Sequence, residues 1–302
     1  MKNIAASVRA RLMNQSRAGD VPFAALLERF VIGRLLWRLS QSAEGRQFVL
    51  KGAQLFSLWT GSPHRPTRDL DLLGSGDSSP ESLQAFFIDL LAKPVEPEDG
   101  LLWGEVHAAP IREDQRYEGV RITVKVTLAG AVVPAQVDIG FGDVITPAPV
   151  ELTWRDLLDF PEARLLTYPP ETVIAEKLNA AEELGLDNSR MKDFYDLDWL
   201  SRNLEFDHAL LSLAIRATFE RRGTALPEIL PVALTKEFAD DPDKLAQWNA
   251  FLRKNRLEAA SLTEVIQRLN DFLQPVLFSS VGVSGKRWKP TEGWILPSHN
   301  SP

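Results

Sequence analysis

The chain has 302 residues, 44% of them hydrophobic and 25% charged, with a formal net charge of −7. That length suits two domains, or one domain with an extension, and can bury a sizeable core. The acidic balance excludes the globally basic coat of a general nucleic-acid binder, and no apolar run approaches the roughly 18–20 residues a membrane-spanning helix needs. With no cysteine there is no disulfide, thiolate ligand or thiol nucleophile. The N-terminal residues lack the apolar stretch of a secretory signal, so a cytoplasmic protein without a membrane partner is expected.

Residues from about Ile4 to Ser40 read as helices, with Phe23, Leu26, Leu27, Phe30, Val31, Leu35 and Trp37 at helical spacing. Asp20 reads as an N-cap, with Pro22 in the first turn. The first forty residues carry Lys2, Arg9, Arg11, Arg17, Arg29, Arg34 and Arg38 against only Asp20 and Glu28. Such asymmetry permits a local phosphate-facing patch, and equally a solvated helix face.

Phe48-Val49-Leu50 forms a short strand ending in Lys51-Gly52, with a helix from Ala53 to about Trp59. Residues 60–67 are a loop rich in turn formers, and Arg68-Asp69-Leu70-Asp71-Leu72-Leu73 is a second strand stopped by Gly74-Ser75-Gly76. After a helix near Glu81–Ala92, residues Val120–Leu128 alternate apolar and polar side chains without a break. A turn at Ala129-Gly130 leads into Val132–Ile139, which completes a hairpin. Beyond Pro147-Ala148-Pro149 the composition shifts to helix. The clearest are Glu171–Leu184, closed by Gly185, and Ser189–Arg202, opened by a Ser cap.

Asp69 and Asp71 are two apart on a strand and therefore share a face, while Leu70 and Leu72 take the other. Adjacent carboxylates repel, and a divalent cation with a preference for oxygen ligands resolves that conflict. In Gln136-Val137-Asp138-Ile139 the aspartate again falls on the polar face. If that strand neighbours the first, three carboxylates converge, enough for two metals. An isolated Asp-x-Asp is usually a solvated strand end, and Asp138 alone an exposed polar position. The order of a Gly turn, Asp-x-Asp and a third strand Asp favours the metal reading.

With these motifs in sequence, the chain resembles the AbiEii/AbiGii toxin-like family of the nucleotidyltransferase superfamily. The residues that carry the resemblance are Phe48–Ala53 with Thr67–Leu72, the upstream helical stretch Leu26–Ser40, Ala175-Glu176-Lys177-Leu178 and Lys192-Asp193-Phe194-Tyr195-Asp196-Leu197. The resemblance spans about residues 20–200. It implies an α/β (α+β) fold: a mixed, partly antiparallel sheet flanked by helices, followed by a mainly helical C-terminal domain. The expected division is a catalytic domain with N-terminal helices over 1–160, a helical domain over 161–278 and an irregular tail over 279–302.

The resemblance also implies roles. Asp69 and Asp71 would bind Mg²⁺ or its substitute Mn²⁺, with Asp138 as a third ligand or as the base for the attacking hydroxyl. Lys177 would contact the NTP triphosphate, and Asp193, or else Asp196, would complete the site from the helical side. Lys51, Gly52, Ala53 and Arg68 would lie against the nucleotide, with His64 and Arg65 in the adjoining loop. His64 reads as a surface residue rather than a ligand. Ala53 stands where the family has Ser or a second Gly, which removes a hydroxyl but keeps the backbone N–H. Read without the family, Lys177 is an ordinary surface lysine and Asp193 a first-turn acid favoured by the helix dipole.

The implied activity is transfer of a nucleoside monophosphate from an NTP to an acceptor, an RNA such as tRNA, by a toxin with a cognate antitoxin protein. Two rivals stand beside it: an impaired nucleotidyltransferase fold kept for binding or regulation, and a kinase or protein-modifying transferase. The basic clusters Arg221-Arg222 and Arg253-Lys254-Asn255-Arg256 could follow an RNA backbone or be solvated faces. Lys286-Arg287-Trp288-Lys289-Pro290 could stack on single-stranded bases or dock on its own domain, and docking is the favoured reading.

Overall fold

A computed structural model describes residues 3–61, 64–111, 119–278 and 285–296. Lys2, the Ser62-Pro63 tip of the loop, and tail residues 279–284 and 297–302 lie outside the described residues. The chain forms two compact units: residues 1–142 with 149–168, and residues 143–148 with 169–302.

The first unit contains helices α1 (Ile4–Gly19), α2 (Phe23–Gln41), α3 (Gln54–Thr60) and α4 (Pro80–Ala92). Among its described residues are strands β1 (Phe48–Lys51), β2 (Asp69–Gly74), β3 (Leu102–Ile111), β4 (Gly119–Leu128), β5 (Ala131–Phe141), β6 (Val150–Trp154) and β7 (Ala163–Thr167). They join in one sheet of order β3-β4-β5-β2-β1-β7-β6. The pairs β2–β5 and β1–β7 are parallel and the other four antiparallel, giving the mixed sheet that the sequence implies. The hairpin of β4 and β5 turns through Ala129 and Gly130, both at positive φ (46° and 82°), the geometry of a two-residue turn matched to strand twist.

The alternation of β4 and β5 settles which face is core. Val120, Ile122, Val124 and Val126, with Val133, Ala135, Val137 and Ile139, are buried together with Leu50, Leu70 and Leu72. Burying each such side chain is worth roughly 1.5–3 kcal/mol, so a one-residue register slip would be very costly. Helix α2 packs on β5 and β7, and α4 on β3.

The N-terminal helices differ in detail from the sequence reading. Asp20 is the left-handed C-cap of α1 (φ 50°), and Pro22 caps α2. Arg34 and Arg38, counted among the cations available to phosphate, are buried and share Asp99 Oδ2 at 3.2 and 2.7 Å. Arg9 donates to Ala129 O, and Arg11 to Leu158 O. Much of the N-terminal charge asymmetry is therefore internal structure. Strands β3, β6 and β7 go beyond the sequence reading, and β6 and β7 stand where helix was expected.

The second unit is mainly helical: α5 (Pro170–Leu184), α6 (Met191–Asn203), α7 (His208–Arg222), α8 (Lys236–Asp240), α9 (Pro242–Asn255) and α10 (Leu262–Phe278). Helix α10 buries Leu262, Val265, Ile266, Leu269, Phe272, Leu273 and Val276, an apolar stripe at helical spacing. Ser189 does not cap α6; Arg190 occupies that position, and its N–H bonds to Asn188 Oδ1.

The short strands β8 (Phe206–Asp207), β9 (Arg287–Lys289) and β10 (Gly293–Ile295) form a second sheet. Through it the C-terminal segment docks on its own unit. Trp288 is buried and donates to Ser201 O at 2.6 Å, and Trp294 donates to Phe272 O at 2.8 Å.

Candidate active site

On the polar face of the first unit's sheet, four charged residues stand in register across four adjacent strands. Lys51 of β1 pairs with Asp71 of β2, Asp71 with Asp138 of β5, and Asp138 with Arg121 of β4. In-register neighbours share a face, so the row runs cation, carboxylate, carboxylate, cation. Directly alongside, Asp69 pairs with Gln136 and Gln136 with Thr123. Asp69, Asp71 and Asp138 are all half-buried.

The turn after β1 seats Asp71. Gly52 has φ +75°, and a Cβ placed on it would stand 2.0 Å from Asp71 Oδ2, 2.7 Å from its Cγ and 2.8 Å from its Cβ. No side chain fits there, which is the physical reason for glycine at this position. Ala53 follows at an ordinary helical φ of −69° and is buried, so its methyl group imposes no backbone cost. The Lys51 ammonium lies 5.7 Å from the Tyr168 ring centroid, and 3.4 Å from where a Gly140 Cβ would stand.

Asp138 is held by Arg121 through two bonds of 2.8 Å, Nε to Oδ1 and Nη2 to Oδ2, and Gln136 Nε2 donates to it at 3.2 Å. Among the described residues no group of three or more His, Cys, Asp or Glu side chains has metal-holding geometry. The donor chemistry nevertheless fits Mg²⁺, which is commonly held by one or two carboxylates with substrate phosphates supplying further oxygens. Asp69 and Asp71 are such a pair, and the Gly52 cradle fixes one of them.

Sequence reasoning did not single out Arg121. Its signal was the β4 alternation, which places it on the Thr123 face, but its partner follows only from the hairpin register. In the loop before β2, Arg68 is 82% exposed and lies 3.6 Å from Glu28, while His64 stacks on Phe56 with centroids 4.5 Å apart. Residue 64 is thus partly packed rather than a plain surface histidine.

In the second unit, Lys177 of α5 meets two carboxylates of α6: Asp193 Oδ1 at 2.5 Å and Asp196 Oδ2 at 2.9 Å. Arg190 Nε adds 2.8 Å to Asp193 Oδ2. Burial alone would raise the Asp193 pKa, but the Lys177 and Arg190 charges and the Lys177 hydrogen bond outweigh it and hold the carboxyl below its ordinary value. Lys177 is therefore no free surface lysine. Arg222, from one of the basic clusters, is directed inward to Asp143 (3.1 Å) and Glu176 (3.4 Å).

A Gly turn leading into α3, an Asp-x-Asp strand antiparallel to the strand before that turn, and a mixed sheet flanked by helices define a protein of nucleotidyltransferase fold. A crystal structure of a Helicobacter pylori protein assigned as a nucleotidyltransferase superposes with a TM-score of 0.50 over 83% of this chain and 94% of that one, at 17% identity. That of JHP933 from the same organism gives 0.48 over 83% and 91%, also at 17% identity.

The family model described as nucleotidyl transferase AbiEii toxin of type IV toxin–antitoxin systems matches residues 34–274, and the chain belongs to that family. No curated protein matches it. No helix among the described residues is long and apolar enough to cross a membrane.

Proposed function

We propose that this chain is a divalent-metal-dependent toxin that transfers a nucleoside monophosphate from an NTP to a hydroxyl of an RNA, with tRNA as the leading acceptor. In this reading it acts in the cytoplasm, inhibits growth and is countered by a cognate antitoxin protein. The observation that carries the reading is the seating of Asp71 against Gly52, beside Asp69 and between the flanking cations Lys51 and Arg121. Family membership supplies the reaction class.

The reaction needs little covalent help from the protein; positioning and charge neutralisation dominate. The acceptor oxygen bonds to the α-phosphorus, the bond from that phosphorus to the bridging oxygen breaks, and pyrophosphate leaves. Asp69 and Asp71 would hold a cation which, when bound, neutralises phosphate charge. Lys51 offers a further positive charge to a triphosphate. Asp138 accepts from Arg121 at both oxygens and from Gln136, so these two side chains set its orientation and the lone pair it can offer the acceptor proton. The roles of Lys177 as a triphosphate cation, and of Asp193 and Asp196 as the acids that orient it, rest on the order of the family's motifs.

The test uses the purified chain, total cellular RNA and Mg²⁺ with NTPs labelled at either the α- or the γ-phosphate. The expected result is α-label on RNA with one preferred nucleotide. Label from the γ-position would make the chain a kinase, and α-label on protein would replace the acceptor. No transfer of either label would favour a binding or regulatory role.

A further inference from the structure

A cavity of about 460 Å³ opens in the first unit beside the C-terminal end of α3, well within the range of small-molecule sites. Its chemistry is one-sided. Arg29 and Arg155 line it with the hydroxyls of Ser57, Thr60 and Thr153 and the indole of Trp59, and none of the described residues lining it is acidic. In a chain of net charge −7 that is an unexpected concentration of donors. Arg29 Nε is buried with no hydrogen-bond partner among the described residues, a donor that a ligand oxygen would satisfy.

The acids nearby do not account for this. Asp156 is the carboxylate whose field reaches Arg29, and it also faces Arg34 at 3.7 Å. Arg155, 88% exposed, has among the described residues one ion-pair contact, at 3.8 Å to exposed Glu162. Of the N-terminal cations counted in the sequence, Arg9, Arg11, Arg34 and Arg38 bond to backbone or buried groups, whereas Arg29 lines this cavity.

We propose that the cavity is a nucleoside-monophosphate site, with the phosphate on Arg29 and Arg155, the hydroxyls on its oxygens or ribose, and the base against Trp59. Paired guanidinium groups suit phosphate, and an indole face accepts any base. Helix α3 begins two residues after Gly52, which seats Asp71, and Ser57, the first of its residues to line the cavity, lies three positions, about 4.5 Å along the axis, from its start. One strand can therefore touch both places. The site thereby serves as a holding point for the acceptor strand near the carboxylates. Naming that strand as the acceptor rests on the proposed transfer reaction; nucleotide binding in the cavity does not.

The experiment measures anisotropy of a fluorescein-labelled single-stranded oligoribonucleotide with the full chain across a salt series. The Arg29→Gln/Arg155→Gln variant, its folding checked by circular dichroism and thermal midpoint, should bind about tenfold or more weakly. Its slope of log affinity against log salt should fall by about 0.7, the contribution of one single-strand phosphate.

Free AMP should compete better than inorganic phosphate in the wild type, and Trp59→Leu should remove that advantage. AMP binding that depends on Arg29, without oligonucleotide binding, would support the site and assign it to a free nucleotide. Unchanged affinity and slope in the double variant would overturn the proposal. Asp71→Asn should lose transfer and retain strand binding, so failure of the reaction and failure of the cavity read out separately.

Discussion

Substituting Gly52 by alanine tests the cradle on which the site reading turns. Two costs add at this position. An L-residue at φ +75° is in the left-handed region, worth about 1–2 kcal/mol. The new methyl would also stand 2.0 Å from Asp71 Oδ2 and 2.8 Å from Asp71 Cβ, so rotating the carboxylate cannot relieve the overlap and β2 itself must give. Overpacking of that kind costs about 1–3 kcal/mol. Gly130 isolates the first cost, because it has φ +82° and nothing within 4 Å of an added Cβ. Urea unfolding should therefore show Gly130→Ala losing about 1–2 kcal/mol and Gly52→Ala about 2–5 kcal/mol. In the α-label transfer assay, under conditions where both remain folded, Gly130→Ala should keep wild-type turnover and Gly52→Ala should lose most of it. Equal stability and equal turnover in the two variants would refute the argument that Asp71 is positioned by the absence of a side chain at residue 52.

Three further outcomes follow from the same geometry. Asp193→Asn leaves Lys177 with Asp196 alone and Arg190 without its buried carboxylate, and should cost roughly 1–3 kcal/mol near neutral pH by chemical denaturation. Because the folded Asp193 pKa is lowered, its stabilisation is present above the ordinary carboxylate pKa of about 4 and is lost as pH falls through the folded value. The difference between wild type and variant should accordingly shrink in acid, and a gap that widens below pH 4 would contradict the assignment. Arg121→Leu should lower stability by only about 1 kcal/mol, since the pair is partly exposed, yet lower α-label transfer by releasing Asp138 from its two bonds. Trp288→Ala should cost roughly 3–5 kcal/mol in thermal unfolding; a neutral result would show that the C-terminal segment contributes no packing.

What the sequence disclosed and what it hid divide along local and non-local lines. The alternation of β4 and β5, the Gly-closed end of α5 and the shared face of Asp69 and Asp71 follow from periodicity within a few residues. Strand β3 hid because it is an edge strand, mostly exposed, interrupted by Gly104 and Pro110 and irregular between Trp103 and Val106. Strands β6 and β7 are five residues each, with Glu151 and Arg164 inside them, and β7 owes its place to pairing with β1 more than a hundred residues earlier. The Arg121–Asp138 bond and the fit of Asp71 against Gly52 depend on register, which no single segment encodes. Asp20 misled because the same short polar side chain that caps helix starts also tolerates the left-handed conformation at a helix end.

The row Lys51–Asp71–Asp138–Arg121 suggests a site built near charge balance before substrate arrives. Each carboxylate has an in-register cation on its outer side, which limits the repulsion that two adjacent acids would otherwise place on the sheet.

The most direct measurement compares wild type with Asp69→Asn and Asp71→Asn for α-label transfer from NTP to RNA, with and without Mg²⁺. Thermal midpoints serve to confirm that all three proteins are folded. Wild type should label RNA in an Mg²⁺-dependent way, and either variant should lose at least about a hundredfold, as expected when a group stabilising the transition state is removed. Wild-type transfer rates in both folded variants would contradict this expectation and move the chemistry away from this face of the sheet.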